Sequence, residues 1–236
     1  MSSASVSLAE IARFDALAAR WWDPDGPMRP LHRMNPARIG WIADHVARRF
    51  ADPAGLRVLD VGCGAGLAAE ALARRGFDVL GVDAAPDVIA AAADHAMGQD
   101  LRLRYRVGTA EDVLADGLRF PVVTALEVIE HVPDPAGFVQ TLAALVEPGG
   151  LVVLSTLNRT RRSFLSAKVG AEYLLRWLPV GTHDWRKFVT PAELSALLRE
   201  AGLRVSDVAG LVPDPLRGGW RIGRDLAVNY MIAAEG

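Results

Sequence analysis

Val58-Leu59-Asp60-Val61-Gly62-Cys63-Gly64-Ala65-Gly66-Leu67 is the stretch whose reading decides the fold. Val58 to Val61 is a short apolar run rich in β-branched residues, the pattern of a buried strand. Three glycines at alternate positions follow it directly. An Ala-rich helical pattern then runs from Ala68 to Arg75 and stops at Gly76. Strand, glycine loop and helix in that order open a nucleotide-type site, because residues without side chains let a ligand approach the backbone.

The spacing narrows the ligand. A dinucleotide loop reads G-x-G-x-x-G. Here Gly62, Gly64 and Gly66 give G-x-G-x-G, and Leu67 stands where the last glycine belongs. Asp60 precedes the loop by two residues, and its carboxylate would repel a pyrophosphate but suit a cation. S-adenosylmethionine carries a sulfonium and an ammonium and has no phosphate. Asp83, at the end of the next apolar run, is placed for ribose hydroxyls, and Ala110-Glu111-Asp112 for the adenine side.

Outward from the loop, strands and helices alternate. Strands are expected at 78–83, 101–107, 121–126 and 151–156, with helices at 86–95 and 136–146. This alternation predicts a Rossmann-like, doubly wound, mostly parallel seven-stranded sheet with helices on both faces. Residues 204–211 and 225–233 are read as the closing strands, and Pro213 to Trp220 as a loop. Upstream, Ser7-Leu8-Ala9-Glu10 reads as a capping box for a helix reaching about Arg20. Asn35-Pro36 reads as the cap and first turn of the next helix. Residues 1–52 form a helical cap and 1–236 a single domain. The paired Trp21 and Trp22 are expected to be packing anchors.

Bulk properties exclude several classes. The 236 residues suffice for one α/β domain with a real core, half of them apolar and 23% charged. A net charge of −2 gives no global signal for nucleic acid. The single cysteine, Cys63, cannot form an internal disulfide and fits a reducing compartment. No basic n-region, convincing transit peptide or spanning apolar run is found, so a cytoplasmic chain is expected.

Chemistry is expected at Leu126-Glu127-Val128-Ile129-Glu130-His131-Val132-Pro133-Asp134-Pro135. It follows the fourth strand, at the carboxyl edge where doubly wound sheets bind ligands. On a helical turn, Glu127, Glu130 and His131 share one face at i, i+3 and i+4. Such a set can hold a divalent cation such as Mg²⁺. Alternatively, His131 alone is a general base. A third reading is that the pair merely orders the turn. Either chemical role helps a phenol, which titrates near pH 10, to ionise.

These motifs together resemble a class I S-adenosylmethionine-dependent methyltransferase, and more closely the ubiquinone-biosynthesis O-methyltransferase family. The more specific stretches are Arg20-Trp21-Trp22-Asp23, His32-Arg33-Met34-Asn35-Pro36 and Gly181-Thr182-His183-Asp184, and Val228-Asn229-Tyr230-Met231 also fits the resemblance. The resemblance runs from about Ile11 to the end. It implies methyl transfer from S-adenosylmethionine to a hydroxyl of a polyprenylated phenol or catechol, at both O-methylation steps of ubiquinone synthesis. It further implies Arg38 on the cofactor carboxylate, Gly62 and Asp83 on its methionine and ribose parts, Leu126 against it, and a metal on Glu127, Glu130 and His131. Alternatives are another phenolic or lipid acceptor, or a non-catalytic lipid-binding scaffold.

One segment breaks the βα pattern. Residues 158–188 carry seven basic residues against Glu172 and Asp184, interleaved with Phe164, Leu165, Tyr173 and Trp177. A helical, amphipathic insertion of this kind suits an anionic bilayer surface. Peripheral association with the inner membrane, alongside other ubiquinone-biosynthesis proteins, is the expectation.

Overall fold

A computed structural model describes residues 7–165, 185–214, 216 and 218–236. The centre of the basic insertion, including Lys168, Tyr173, Arg176, Trp177 and the Gly181-Thr182-His183-Asp184 stretch, lies outside the described residues.

Helix α1 (Leu8–Asp15) and a 3-10 turn (Ala18–Arg20) lead into α2 (Arg29–Arg49). The core follows as β1 (Arg57–Val61), α3 (Leu67–Ala73), β2 (Asp78–Asp83), α4 (Pro86–Ala96), β3 (Leu103–Val107), α5 (Ala110–Ala115) and β4 (Phe120–Leu126). Then come α6 (Pro135–Leu145), β5 (Val146–Leu157), a one-turn α7 (Arg161–Ser163) and α8 (Pro191–Glu200). The chain closes with β6 (Arg204–Asp214), β7 (Gly219–Gly223) and β8 (Asn229–Glu235).

The sheet order is β3-β2-β1-β4-β5-β8-β6-β7. The first five strands pair in parallel, and β8, β6 and β7 add antiparallel. The expected seven strands are therefore eight. Pro213 and Trp220, read as loop ends, face each other across the β6–β7 hairpin. Gly218-Gly219 stands where β7 begins and hides this five-residue strand from a periodicity reading.

Both faces are covered because the parallel strands are apolar on both sides. Leu59 and Val61 pack on one face with Phe138, Leu142, Leu194 and Leu198 of α6 and α8. Val58 packs on the other with Ile39, Trp41, Ile42 and Val46 of α2. Asp60 alternates with Leu59 and so sits on the α2 face. Chain direction across the sheet reverses between β1 and β4, which puts the ligand crevice at their carboxyl ends.

The second helix departs from expectation. Met28 and Pro30 begin it, and Pro36 lies inside it. Asn35 is therefore not a cap: its Nδ2 donates to Leu67 O at 2.7 Å, and its Oδ1 accepts from Arg38 Nη2 at 3.3 Å. Burial of Met34, Arg38, Ile39 and Ile42 holds the helix through the proline. Ser7 does cap α1, accepting from Glu10 N, but the helix ends at Asp15 rather than Arg20. Thr109 and Thr190 close full capping boxes on α5 and α8. Among the described residues no helix is long and apolar enough to cross a membrane.

Candidate active site

A cavity of about 560 Å³ opens at the switch point, and its wall is largely apolar. Gly62, Gly64, Asp60, Asp83, Arg38 and Leu126 line it, as do Glu127, Glu130 and His131. Gly66 and Glu111 do not. Gly66 starts α3 in the left-handed region, and the wall beside α5 is supplied by Thr109 and Ala110.

The glycine loop is tight for steric reasons. Gly62, Gly64 and Gly66 all have positive φ. A Cβ on Gly64 would stand 2.3 Å from the Trp21 ring, and one on Gly66 2.0 Å from Tyr105 Oη. Trp22 donates from Nε1 to Ala65 O at 2.9 Å and stacks on His95 at 3.3 Å. His95 Nδ1 in turn meets buried Glu70 at 2.7 Å. The tryptophan pair therefore anchors the N-terminal cap onto the loop, as expected. Cys63 is buried with its thiol pushed well above the usual range by that burial, which removes it as a nucleophile.

Two buried charged groups each keep one polar atom without a hydrogen-bond partner among the described residues. Arg38 and Asp60 are 3% and 1% exposed. Asp60 Oδ1 accepts from Thr124 Oγ1 at 2.7 Å, but its Oδ2 and Arg38 Nε have no hydrogen-bond partner among the described residues. Burial raises the Asp60 carboxyl to about 6, against the pull of Thr124 and Arg38. Burial also lowers Arg38, opposed by Glu127 and Asp60. Orphaned buried polar atoms are rare and call for a ligand. An amino-acid zwitterion supplies an ammonium to one and a carboxylate to the other. Asp83 accepts from Gly64 N at 2.9 Å and Ala85 N at 3.0 Å, so it organises the loop as well as facing the cavity.

Glu127, Glu130 and His131 are brought to one cavity but not to one helical face. Glu127 is in the left-handed region at φ 58, and a 3-10 turn over Ile129–His131 follows. The chain turns too tightly for i, i+3, i+4 stacking. Each side chain has its own partner. Glu127 accepts from Ser155 Oγ at 2.7 Å and from Asn229 Nδ2 at 3.3 Å. Glu130 is 4% exposed and accepts from Thr156 Oγ1 at 2.8 Å. Its burial, with Glu127 nearby, raises it to about 7. His131 Nδ1 lies 3.1 Å from Glu10 Oε2, and the Phe14 ring meets the imidazole edge-on at 5.3 Å. Among the described residues no group of three His, Cys, Asp or Glu is placed to hold a metal ion.

Glu10, Ser155, Thr156 and Asn229 were not singled out as site residues by sequence reasoning. The signal for three of them was there: they are polar residues at strand ends that are otherwise apolar. Glu10 had none, because it reads as half of a capping box.

Helix α1 supplies part of the cavity wall through Glu10, Ile11 and Phe14. At its far end Asp15 Oδ1 accepts from Asp87 N at 3.0 Å and Val88 N at 3.4 Å, at the start of α4. Its apolar side, Ile11 and Phe14, faces the cavity.

Residues 34–208 match the family described as a methyltransferase domain. The ubiquinone biosynthesis O-methyltransferase of Azorhizobium caulinodans is 51% identical, over 99% of this chain and 95% of that protein. The protein of the same name from Methylobacterium nodulans is 53% identical, over 98% and 96%. A structure of magnesium protoporphyrin IX methyltransferase from Synechocystis with bound SAH superposes at a TM-score of 0.66, covering 95% of this chain and 94% of that one; at 16% identity this likeness speaks to the fold alone. The chain belongs to the ubiquinone biosynthesis O-methyltransferase family, within the S-adenosylmethionine-dependent methyltransferases.

Proposed function

We propose that the protein methylates a ring hydroxyl of a polyprenylated phenol or catechol in ubiquinone biosynthesis, with His131 as the base. The observation that carries the base assignment is the His131–Glu10 pair on the wall of an apolar cavity that also holds the glycine loop. When bound, S-adenosylmethionine supplies a sulfonium-borne methyl that a phenolate oxygen can take in one displacement. Arg38 and Asp60 hold its amino-acid end, Asp83 faces its ribose, and Leu126 packs against it. Glu10 orients the imidazole, and His131 takes the hydroxyl proton. The apolar wall keeps water from competing for the methyl and accepts the prenylated ring. We read residues 1–236 as one methyltransferase unit, with 1–52 as its cap.

A divalent cation on Glu127, Glu130 and His131 is the second reading, favoured by their place on one wall. As held, the three do not fit an ion: each carboxylate accepts from a hydroxyl on β5, and His131 Nδ1 lies 3.1 Å from Glu10 Oε2. No step is therefore assigned to a metal. Residues 158–188 we read as the contact with an anionic membrane surface. Exposed Leu165 and Phe164, next to exposed Arg161 and Arg162, support it.

The test is mass spectrometry of a prenylated catechol incubated with the protein and S-adenosylmethionine. A gain of one methyl is expected. His131→Asn should lower turnover by about 10²- to 10⁴-fold, with S-adenosylhomocysteine affinity held within about twofold. No methylated product from the parent protein would overturn the activity. Turnover lost in EDTA and restored by Mg²⁺ would transfer the role to a metal.

A further inference from the structure

The cavity wall contains a polar group that the mechanism above leaves unused. Asn229 opens β8, opposite Leu157 at the end of β5. It lines the cavity and is 2% exposed. Its Nδ2 lies 3.3 Å from both oxygens of Glu127. A carboxylate only accepts, so the amide nitrogen must face it and the carboxamide orientation is set. That leaves Oδ1, which is buried and has no hydrogen-bond partner among the described residues. Glu127 is itself fixed by Ser155 and by its own left-handed backbone. Asn229 is therefore a rigid, desolvated acceptor, with Leu157 as its ladder partner on β5 and Val228 before it in the chain, in a cavity whose wall is largely apolar.

An acceptor in such a wall is satisfied by the O–H or N–H of a ligand. His131 engages the hydroxyl that reacts. We propose that Asn229 contacts the acceptor ring directly, its Oδ1 accepting a hydrogen bond from the hydroxyl next to the reacting one, so that the site selects a catechol over a lone phenol or a ring whose second oxygen is already methylated. The inference rests on the phenolic acceptor proposed above and names the group that reads its substitution pattern. Sites built to bond a hydroxyl discriminate strongly against analogues that lack it, because the buried partner is then left unpaired.

The experiment titrates the protein, saturated with S-adenosylhomocysteine, with a 4-alkylcatechol and with the 4-alkylphenol of the same tail. This complex cannot turn over, so the comparison reads recognition whether or not product forms, and failure of the activity would be seen separately as absence of methylated product. The parent protein should bind the catechol about 10- to 100-fold more tightly. Asn229→Leu should lose that preference, leaving the two ligands within about threefold, with S-adenosylhomocysteine affinity changed less than about twofold. Ser155→Ala, which also removes a donor from Glu127, should keep the preference. Equal binding of the two ligands by the parent protein would overturn the proposal, and this arm decides even if the Leu variant does not fold. So would a preference lost equally in Ser155→Ala, a Leu variant that still prefers the catechol, or one that weakens both ligands alike. A parallel fall in S-adenosylhomocysteine affinity would place Asn229 on the cofactor instead and would also overturn it.

Discussion

Asp60 should make cofactor binding pH-dependent in a range easily reached by calorimetry. Its carboxyl is raised to about 6 in the ligand-free protein, first by burial and then by Asp83, against the hydrogen bond from Thr124 and the charge of Arg38. At pH 7 about nine tenths of the molecules carry it ionised, and at pH 5 about one tenth. An ammonium pairs only with the ionised form. The dissociation constant of S-adenosylhomocysteine, which has the same amino-acid end, should therefore be about tenfold weaker at pH 5 than at pH 7. The free fold responds with the opposite sign. For an acid whose folded pKa exceeds its unfolded value near 3.9, the stabilising contribution is present below that value and is lost as pH rises through about 6, a span of about 3 kcal/mol. The ligand ammonium offsets this loss, so thermal stabilisation by S-adenosylhomocysteine should be larger at pH 7 than at pH 5. Asp60→Asn should flatten the affinity profile and weaken binding at pH 7. Glu130, raised to about 7 in the same cavity, would give a higher inflection that survives in that variant. A dissociation constant constant within about twofold from pH 5 to 7, or a slope unchanged in Asp60→Asn, would refute the pairing.

Three further outcomes are expected. Gly66→Ala places a Cβ 2.0 Å from Tyr105 Oη at φ +89, whereas Gly76→Ala, at φ +93, meets open space; calorimetric melting should show the first lowering Tm by at least about 4 °C more than the second. Glu10→Gln leaves the His131 imidazole without its carboxylate and should reduce kcat by about 10- to 100-fold while S-adenosylhomocysteine affinity stays within about twofold, and an unchanged kcat would remove Glu10 from the mechanism. Arg161→Glu, at an exposed position whose neighbour Arg162 is held by Asp225 at 2.9 Å, should weaken co-sedimentation with phosphatidylglycerol vesicles by about 10-fold and leave phosphatidylcholine vesicles unaffected.

The centre of the fold was legible because its signals are local. Val58–Val61, the alternate glycines and the β-branched runs at β2, β4 and β5 state both strand and burial without help from the rest of the chain. The hairpin at Pro213 to Trp220 was not legible, since β7 is five residues long and its pairing with β6 is a tertiary fact. The start of α2 was misread for a related reason. Asn35-Pro36 has the chemistry of a helix start, and only the packing of Met34 and Arg38 against the core shows the helix running through it. At the site, Asp60, Asp83 and His131 could be named because their residue types and places at strand ends announce chemistry, whereas Arg38 came only from the family resemblance. Glu10 could not, because its partner is 121 positions away and nothing in the spacing of a surface helix marks a residue that reaches across a cavity.

The departures from local preference share a location, and this bears on what the molecule selects. Glu127 is the one described non-glycine residue with positive φ, a conformation that costs about 1–3 kcal/mol and persists only where surroundings over-determine it. Here the surroundings are the hydrogen bond from Glu127 N to Ser155 O at 2.9 Å and the side-chain bonds from Ser155 and Asn229. Pro36 removes a hydrogen bond from α2 two residues before Arg38, whose guanidinium is buried without a full set of partners. Asp60 is buried on β1, where an apolar residue would pack better. None of these helps the free chain fold, and each places a polar atom on the same cavity. On the proposed function a bound amino-acid zwitterion would satisfy Arg38 and Asp60, and on the proposed catechol contact a ring hydroxyl would satisfy Asn229. The ligand-free protein is therefore less stable than its sequence could make it, and stability should be recovered in two separable increments, one with the cofactor and one with the acceptor. A protein already saturated with S-adenosylhomocysteine should still gain Tm on adding a catechol, and in Asn229→Leu that second gain should shrink to what the matching phenol gives.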